Sequence, residues 1–441
     1  MRNLLAGLII MLGLAACLGT AETTPLLPTA ERYLIVYPEA QSDALQAPAS
    51  YSYTYLQPSG NRVLEGTGNL SQSESSFINT SGTPAWIAGA AIRDGVRWYV
   101  IMDDGRIEIV TVGTAGEIVR EALDLHLPPG QPPLIDRGRG ALVEGSNLDG
   151  ISLLTHPVVT SGGQWLWIDN NGDLVLGDES GVEIDRMMLQ ALPDARLVLE
   201  GDLLAVYAGA TRFYDHAVLG DGLEASSLAV LDTSEGQILH IVDVPAPEGA
   251  VFEGISPLLV DWNQDGEIEV LATASDYTSG AAFVLYGLDG GLLAQSDPIG
   301  QAYRWRHQLA VAPFQADGEW LLASVFRPHL DGVVQLHAWR GELLVEVQAL
   351  AGYSSHRLGE RNMDRAAVAD FDGDGLLELL VADLQLRSLA LLGWSDGNLI
   401  EEWRFDLGDT MLTNLGVVEI KGGGLAVAAG VQDGLWVFIV K

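Results

Sequence analysis

The most constraining feature of this chain is a turn that recurs. Residues 258–271 read LLVDWNQDGEIEVL, and residues 367–380 read AVADFDGDGLLELL. Each is an apolar run, an acidic Asp-Gly turn and a second apolar run, the pattern of two short strands joined tightly. Aligned on the residue before the Gly, weaker copies follow. Residues 310–324 read AVAPFQADGEWLLAS and residues 141–155 read ALVEGSNLDGISLLT. Asp94-Gly95 lies within 87–102, Gly201-Asp202 within 197–208 and Gly422-Gly423 within 415–428. The anchors are Asp94, Asp149, Asp202, Asp265, Asp317, Asp374 and Gly423, with spacings of 55, 53, 63, 52, 57 and 49 residues.

A fixed period means units that bury their apolar faces against neighbours. About 55 residues hold four short strands, so the expected fold is all-β. It is a seven-bladed β-propeller of four-stranded antiparallel blades. The 51 Gly residues suit a chain with many turns, and no helical apolar period is sustained after the first twenty residues. Beyond Gly423 the sequence has room for strands only at 425–429 and 435–440, which leaves the last blade one strand short. An unpaired sheet edge is a liability. Strand-like sequence is spare at 33–37 and 51–56, so a strand from 31–60 is expected to complete the last blade and close the ring. Residues 31–441 then form one domain, with the repeats over about 85–441.

The first residues read as an address. Arg2 precedes an apolar run from Leu4 to Ala16, and Cys17 follows. One cation and about a dozen apolar residues match a secretory signal, too short to span a membrane. Leu14-Ala15-Ala16-Cys17 resembles the bacterial lipobox, which implies a signal peptide over 1–16 and a lipid on Cys17. Residues 17–30, small and rich in Thr and Pro, read as a flexible tether. The expected location is extracytoplasmic, held to a membrane by Cys17. Leu18 lacks the acidic signal of inner-membrane retention and favours the outer side.

Charge narrows the partners. Asp and Glu number 59 against 23 Lys and Arg, a net charge of -36. Such a chain repels phosphate backbones and excludes nucleic acid. A single Cys excludes an internal disulfide and a thiolate metal cage.

The two full turns carry chemistry. Asp261, Asn263, Asp265 and Glu269 stand at positions 1, 3, 5 and 9 of one loop, and Asp370, Asp372, Asp374 and Glu378 repeat the pattern. Alternate side-chain oxygens of a tight loop converge, Gly266 and Gly375 permit the bend, and the carbonyls of Glu267 and Leu376 can add a further oxygen. Hard oxygen donors in a flexible shell suit Ca²⁺. Ala272 and Val381 stand where an EF-hand has its last Glu, and a strand follows where it has a helix. Motif and spacing together resemble the FG-GAP and VCBS repeats of integrin-type and bacterial surface β-propellers. That resemblance implies two structural calcium sites and a role in surface binding or scaffolding.

Strand parity places the turns after the second and fourth strands on the other face. His216, Arg306, His307, Arg327, His329 and His356 map there, a local cationic bias in an acidic chain. This reads as a face for an anionic small molecule, a glycan or a protein partner. Pairing of Arg and His with neighbouring carboxylates such as Asp215, Asp221, Glu224, Glu360 and Asp364 is the structural alternative. The rival function is a cell-surface lyase or hydrolase acting on an anionic carbohydrate through that face. No GxSxG elbow, phosphate loop or dinucleotide fingerprint names a reaction.

Overall fold

A computed structural model describes residues 60–127, 134–136, 141–143, 148, 150–155 and 157–441. The signal, Cys17, the tether and the segments 33–37 and 51–56 lie outside the described residues, as do Arg137, Arg139, Asn147, Asp149 and His156.

The chain is built from four-stranded antiparallel meanders taken one after another. The first pairs Pro84–Ile92, Gly95–Met102, Arg106–Gly113 and Ile118–His126. The next pairs Val158–Val159, Trp165–Ile168, Asp173–Gly177 and Glu183–Met188. Then come Val198–Glu200, Leu203–Thr211, Glu224–Asp232 and Leu239–Pro245, followed by Leu258–Val260, Glu269–Asp276, Gly280–Tyr286 and Leu292–Ser296. Arg306–Ala312, Leu321–Phe326, Val333–Arg340 and Leu343–Ala351 form another. Ala366–Asp370, Glu378–Asp383, Ser388–Ser395 and Asn398–Asp406 follow. No α-helix occurs among the described residues. Serial meanders of this kind are the repeat architecture of β-propellers.

The second strand of a unit is the most deeply buried and reads as an apolar run, as in Leu321–Phe326 and Leu425–Val431. The fourth strands alternate toward solvent, as in Leu343–Ala351. Six of the sequence anchors, Asp94, Asp202, Asp265, Asp317, Asp374 and Gly423, fall between the first and second strands of their units. Among the described residues no second strand of the hairpin expected over 141–155 is found. Ala141–Val143 pairs instead with Leu134–Asp136. The first turn of that unit is 160–164, where the Thr160 N–H donates to the Gln164 carbonyl at 2.9 Å and Gly163 takes a φ of 82°. A Gly-Gly turn without an Asp does the same job there.

The last unit pairs Leu415–Glu419, Leu425–Val431 and Gly434–Val440. Its fourth strand is Glu74–Asn79, antiparallel to Gly434–Val440. The edge expected to take a strand from 31–60 is therefore held by a later segment. Its sequence, ESSFIN, hides the pattern because the inward face carries the half-buried Ser76 and only Ile78 is apolar and buried there. Phe77 rests on Trp436, ring centroids 5.0 Å apart.

Packing joins each unit to the next. Ile87, Trp98 and Val110 of the first unit share a core with Val418, Ala428 and Val437 of the last. Other cores join the consecutive pairs, such as Val334 and Leu336 with Val368 and Val381. A segment from residue 60 runs past the first strands of several units. Gly60 donates to Glu200 at 3.2 Å and accepts from the Leu259 N–H at 3.1 Å. The Asn61 amide bonds both the N–H and the carbonyl of Val311, at 2.9 and 2.6 Å. Val63–Thr67 then pairs in parallel with Ala366–Asp370, and the Thr67 N–H reaches the Gly423 carbonyl at 2.8 Å. Gly60 and Gly66 lie so close to Leu259 and Leu425 that no Cβ fits.

Candidate functional site

The two acidic loops share one backbone device. Each opens with an Asp whose oxygens accept backbone N–H groups from across the turn, as Asx turns do. Asp370 accepts from Gly373 at 2.7 Å and from Gly375 at 3.2 Å. Asp372 accepts from the Asp374 N–H at 3.0 Å, and Asp374 from the Leu376 N–H at 2.8 Å. Glu378, at the start of the second strand, reaches back to the Phe371 N–H at 2.7 Å. The other loop repeats this. Asp261 accepts from Asp265 and Gly266, both at 3.0 Å, Asp265 from Glu267 at 2.8 Å and Glu269 from Trp262 at 2.8 Å.

The loops differ in how their carboxylates converge. Carboxylate oxygens of Asp370, Asp372 and Asp374 lie within 4.8 Å of one another, and so do those of Asp372, Glu378 and Glu402. Among the described residues Asp261, Asp265 and Glu269 do not gather in this way. There the Asn263 amide donates to Asp265 at 2.8 Å, filling one of its oxygens. Burial, reinforced by Asp372 and Asp370, pushes Glu378 up to about 9. Burial also raises Asp372 and Glu402, and Glu269 in the other loop. The donor set of the Asp370 loop is all oxygen, which is the chemistry of a hard cation. Glu402 comes from the fourth strand, outside the loop motif. Sequence reading missed it because its partners lie more than twenty residues away, and no local spacing marks it.

On the opposite face, His307, His329 and His356 gather around Trp305. His307 and His329 stack on the indole, with centroids 5.1 and 6.0 Å away, and His356 meets it edge-on at 5.3 Å. His356 Nε2 donates to the Glu360 carbonyl at 2.7 Å. Its Nδ1 therefore accepts, from His329 Nε2 at 2.7 Å. A neutral ring has only one N–H, so both tautomers are fixed. Burial holds His307 and His356 well below the ordinary imidazole range. It lowers His329 to about 4, with His216 adding to the shift. His216 stands apart, bonded through Nδ1 to Glu253 at 2.6 Å and ringed by Tyr214 and Tyr303.

Arg306 and Arg327 do not join this group. Successive strand residues point to opposite faces. Arg306 therefore leaves its neighbour His307 and lies over Phe283 and Phe326, 5.0 and 5.6 Å from the ring centroids. It donates to Ser296 at 3.2 Å, and burial lowers it to about 10. Arg327 pairs with Asp331 and covers Phe326. The cations nearest the inner strands are engaged. Asp364 accepts two bonds from Arg196, at 2.9 and 2.6 Å, and one from Arg62 at 3.2 Å. Arg361 binds Asp194 at 2.8 Å and also Asp221. Arg365, fully buried, binds Glu360 at 2.5 Å. Much of the expected cationic face is thus a set of ion pairs that lock units together. Trp305, Glu253 and the Arg196–Asp364 pair carried no repeat signature in the sequence.

No family model matches the chain, and no curated protein matches it in sequence. Among solved structures it is similar to BamB from Moraxella catarrhalis, at 11% identity and a TM-score of 0.43, over 83% of this chain and 98% of that one. It is similar to a virginiamycin B lyase from Staphylococcus aureus, at 12% identity and a TM-score of 0.41, over 84% and 100%. It is also similar to Saccharomyces cerevisiae Sqt1, at 8% identity and a TM-score of 0.41, over 86% and 100%. At these values no substrate, partner or activity passes from them to this chain.

Proposed function

We propose that this chain is a lipid-anchored, extracytoplasmic β-propeller of seven blades that binds calcium and acts as a surface binding or scaffolding module. The blades are the meanders described above. Glu74–Asn79 and the core shared by the first and last units close the ring. The reading sits with the FG-GAP and VCBS type of propeller that the acidic loops resemble. Convergence of Asp370, Asp372 and Asp374 within 4.8 Å carries the calcium assignment, and Glu378 and Glu402 complete the oxygen set. Asp261, Asn263, Asp265, Glu267 and Glu269 form the second, weaker site, because the Asn263 amide competes for Asp265. When bound, the ion supplies a cross-link between the first turn, the second strand and the fourth strand of one blade.

The test is thermal melting with calcium and with chelator. A site filled at ten times its dissociation constant adds about 1.4 kcal/mol. Asp374→Ala should abolish most of the calcium-dependent rise in Tm. A full calcium response in that variant removes the site.

A further inference from the structure

The chain has only two Lys among its 23 basic residues, Lys421 and Lys441. Both line the same cavity, about 590 Å³ in volume. The other walls are Thr67, Asn69, Thr114 and the Gly-rich turn 422–424, with Gly373 at the rim. We propose that this cavity binds a phosphoryl group carried on a small molecule or a lipid headgroup. The cavity adjoins the Asp370 loop at Gly373 but shares no residue with the proposed calcium ligands or with the His cluster.

The residue chemistry points to that ligand class. Everywhere else the chain uses Arg, whose planar fork suits carboxylates. Here it uses the compact, rotatable ammonium, which meets a tetrahedral oxyanion as a point charge. The Lys421 ammonium is exposed and has no partner among the described residues. The Lys441 ammonium donates to the Thr114 carbonyl at 2.6 Å, and an ammonium has two further N–H groups. Gly422 and Gly423 take φ of 97° and 87°, and no heavy atom lies near where their Cβ atoms would stand. A turn without side chains lets a ligand approach the backbone closely. The volume lies in the range of small-molecule sites. The nearest anion of the neighbouring loop, Asp370, is engaged by the Thr67 hydroxyl at 2.6 Å and by two backbone N–H groups.

The test is calorimetric titration of the full chain in chelator, so that it stands apart from the calcium reading. Inorganic phosphate and glycerol 3-phosphate form the soluble arm. Vesicles of phosphatidylglycerol against phosphatidylcholine form the lipid arm. The site predicts saturable binding in at least one arm, weakened about tenfold or more by Lys421→Gln and unchanged by Arg357→Gln, whose guanidinium pairs with Glu360 beside the His cluster. Soluble binding without a headgroup preference identifies a free phosphorylated ligand, and preference for phosphatidylglycerol identifies a headgroup. Absence of saturable binding in both arms overturns the proposal. So does binding that is unaffected when Lys421→Gln and Lys441→Gln are combined.

Discussion

At the scale of single residues, the decisive groups are buried and charged. Asp364 is fully buried and takes three bonds from Arg196 and Arg62; losing one partner of such a set strands a charge and costs several kcal/mol. Glu224 is a different case. It is buried with one oxygen unpartnered among the described residues, and burial, with Glu253 nearby, holds its pKa far above the ordinary value. The folded chain therefore keeps a proton that the unfolded chain releases above ~4.3. Stability from this group is complete below that value and is lost as pH rises toward the folded pKa. Glu224→Gln removes the loss. Its Tm should exceed that of the native chain by about 2 °C or more at pH 8 and by little near pH 4.5. An equal change at both pH values would refute a protonated Glu224. Neither residue was legible as a site. Asp364 and Glu224 appeared in the sequence only as carboxylates near Arg and His, and which ones pair depends on strands far apart in the chain.

At the scale of elements, turns were more legible than strands. The loops at 261–269 and 370–378 carry their whole hydrogen-bond scheme in local spacing, so the sequence displays it. The turn at 160–164 performs the same geometry with Thr, Ser and Gly, and an alignment on Asp passed over it. The strand Glu74–Asn79 was missed for a related reason: only Ile78 among its residues is fully buried, so its alternation is one residue deep. That one side chain sits in the core shared by the first and last units. Ile78→Ala should cost about 3 kcal/mol in denaturant unfolding. A loss below half a kcal/mol would mean that this strand does little to hold the last unit.

At the scale of the whole molecule, the period of about 55 residues was enough to read the repeat architecture, because every unit must bury its faces on two neighbours. The proposed lipid anchor rests on residue type alone: Cys17 is the sole cysteine and follows a short apolar run. Cys17→Ser should move the protein from the membrane fraction to the soluble fraction; retention in the membrane would sink the lipid anchor. The expected cationic face was harder to read. Parity set His216 beside His307, His329 and His356, although only the last three gather around Trp305, and it could not tell Arg306 from His307, whose side chains leave the strand on opposite sides.

The pairing of Glu74–Asn79 with Gly434–Val440 has a consequence for biosynthesis. Glu74–Asn79 leaves the ribosome long before its partner and has none until Gly434–Val440 arrives. Co-translational folding can build the intermediate units, but the final sheet must wait, and contacts between sequence-distant strands form slowly. The last unit becomes complete only once both segments have been made.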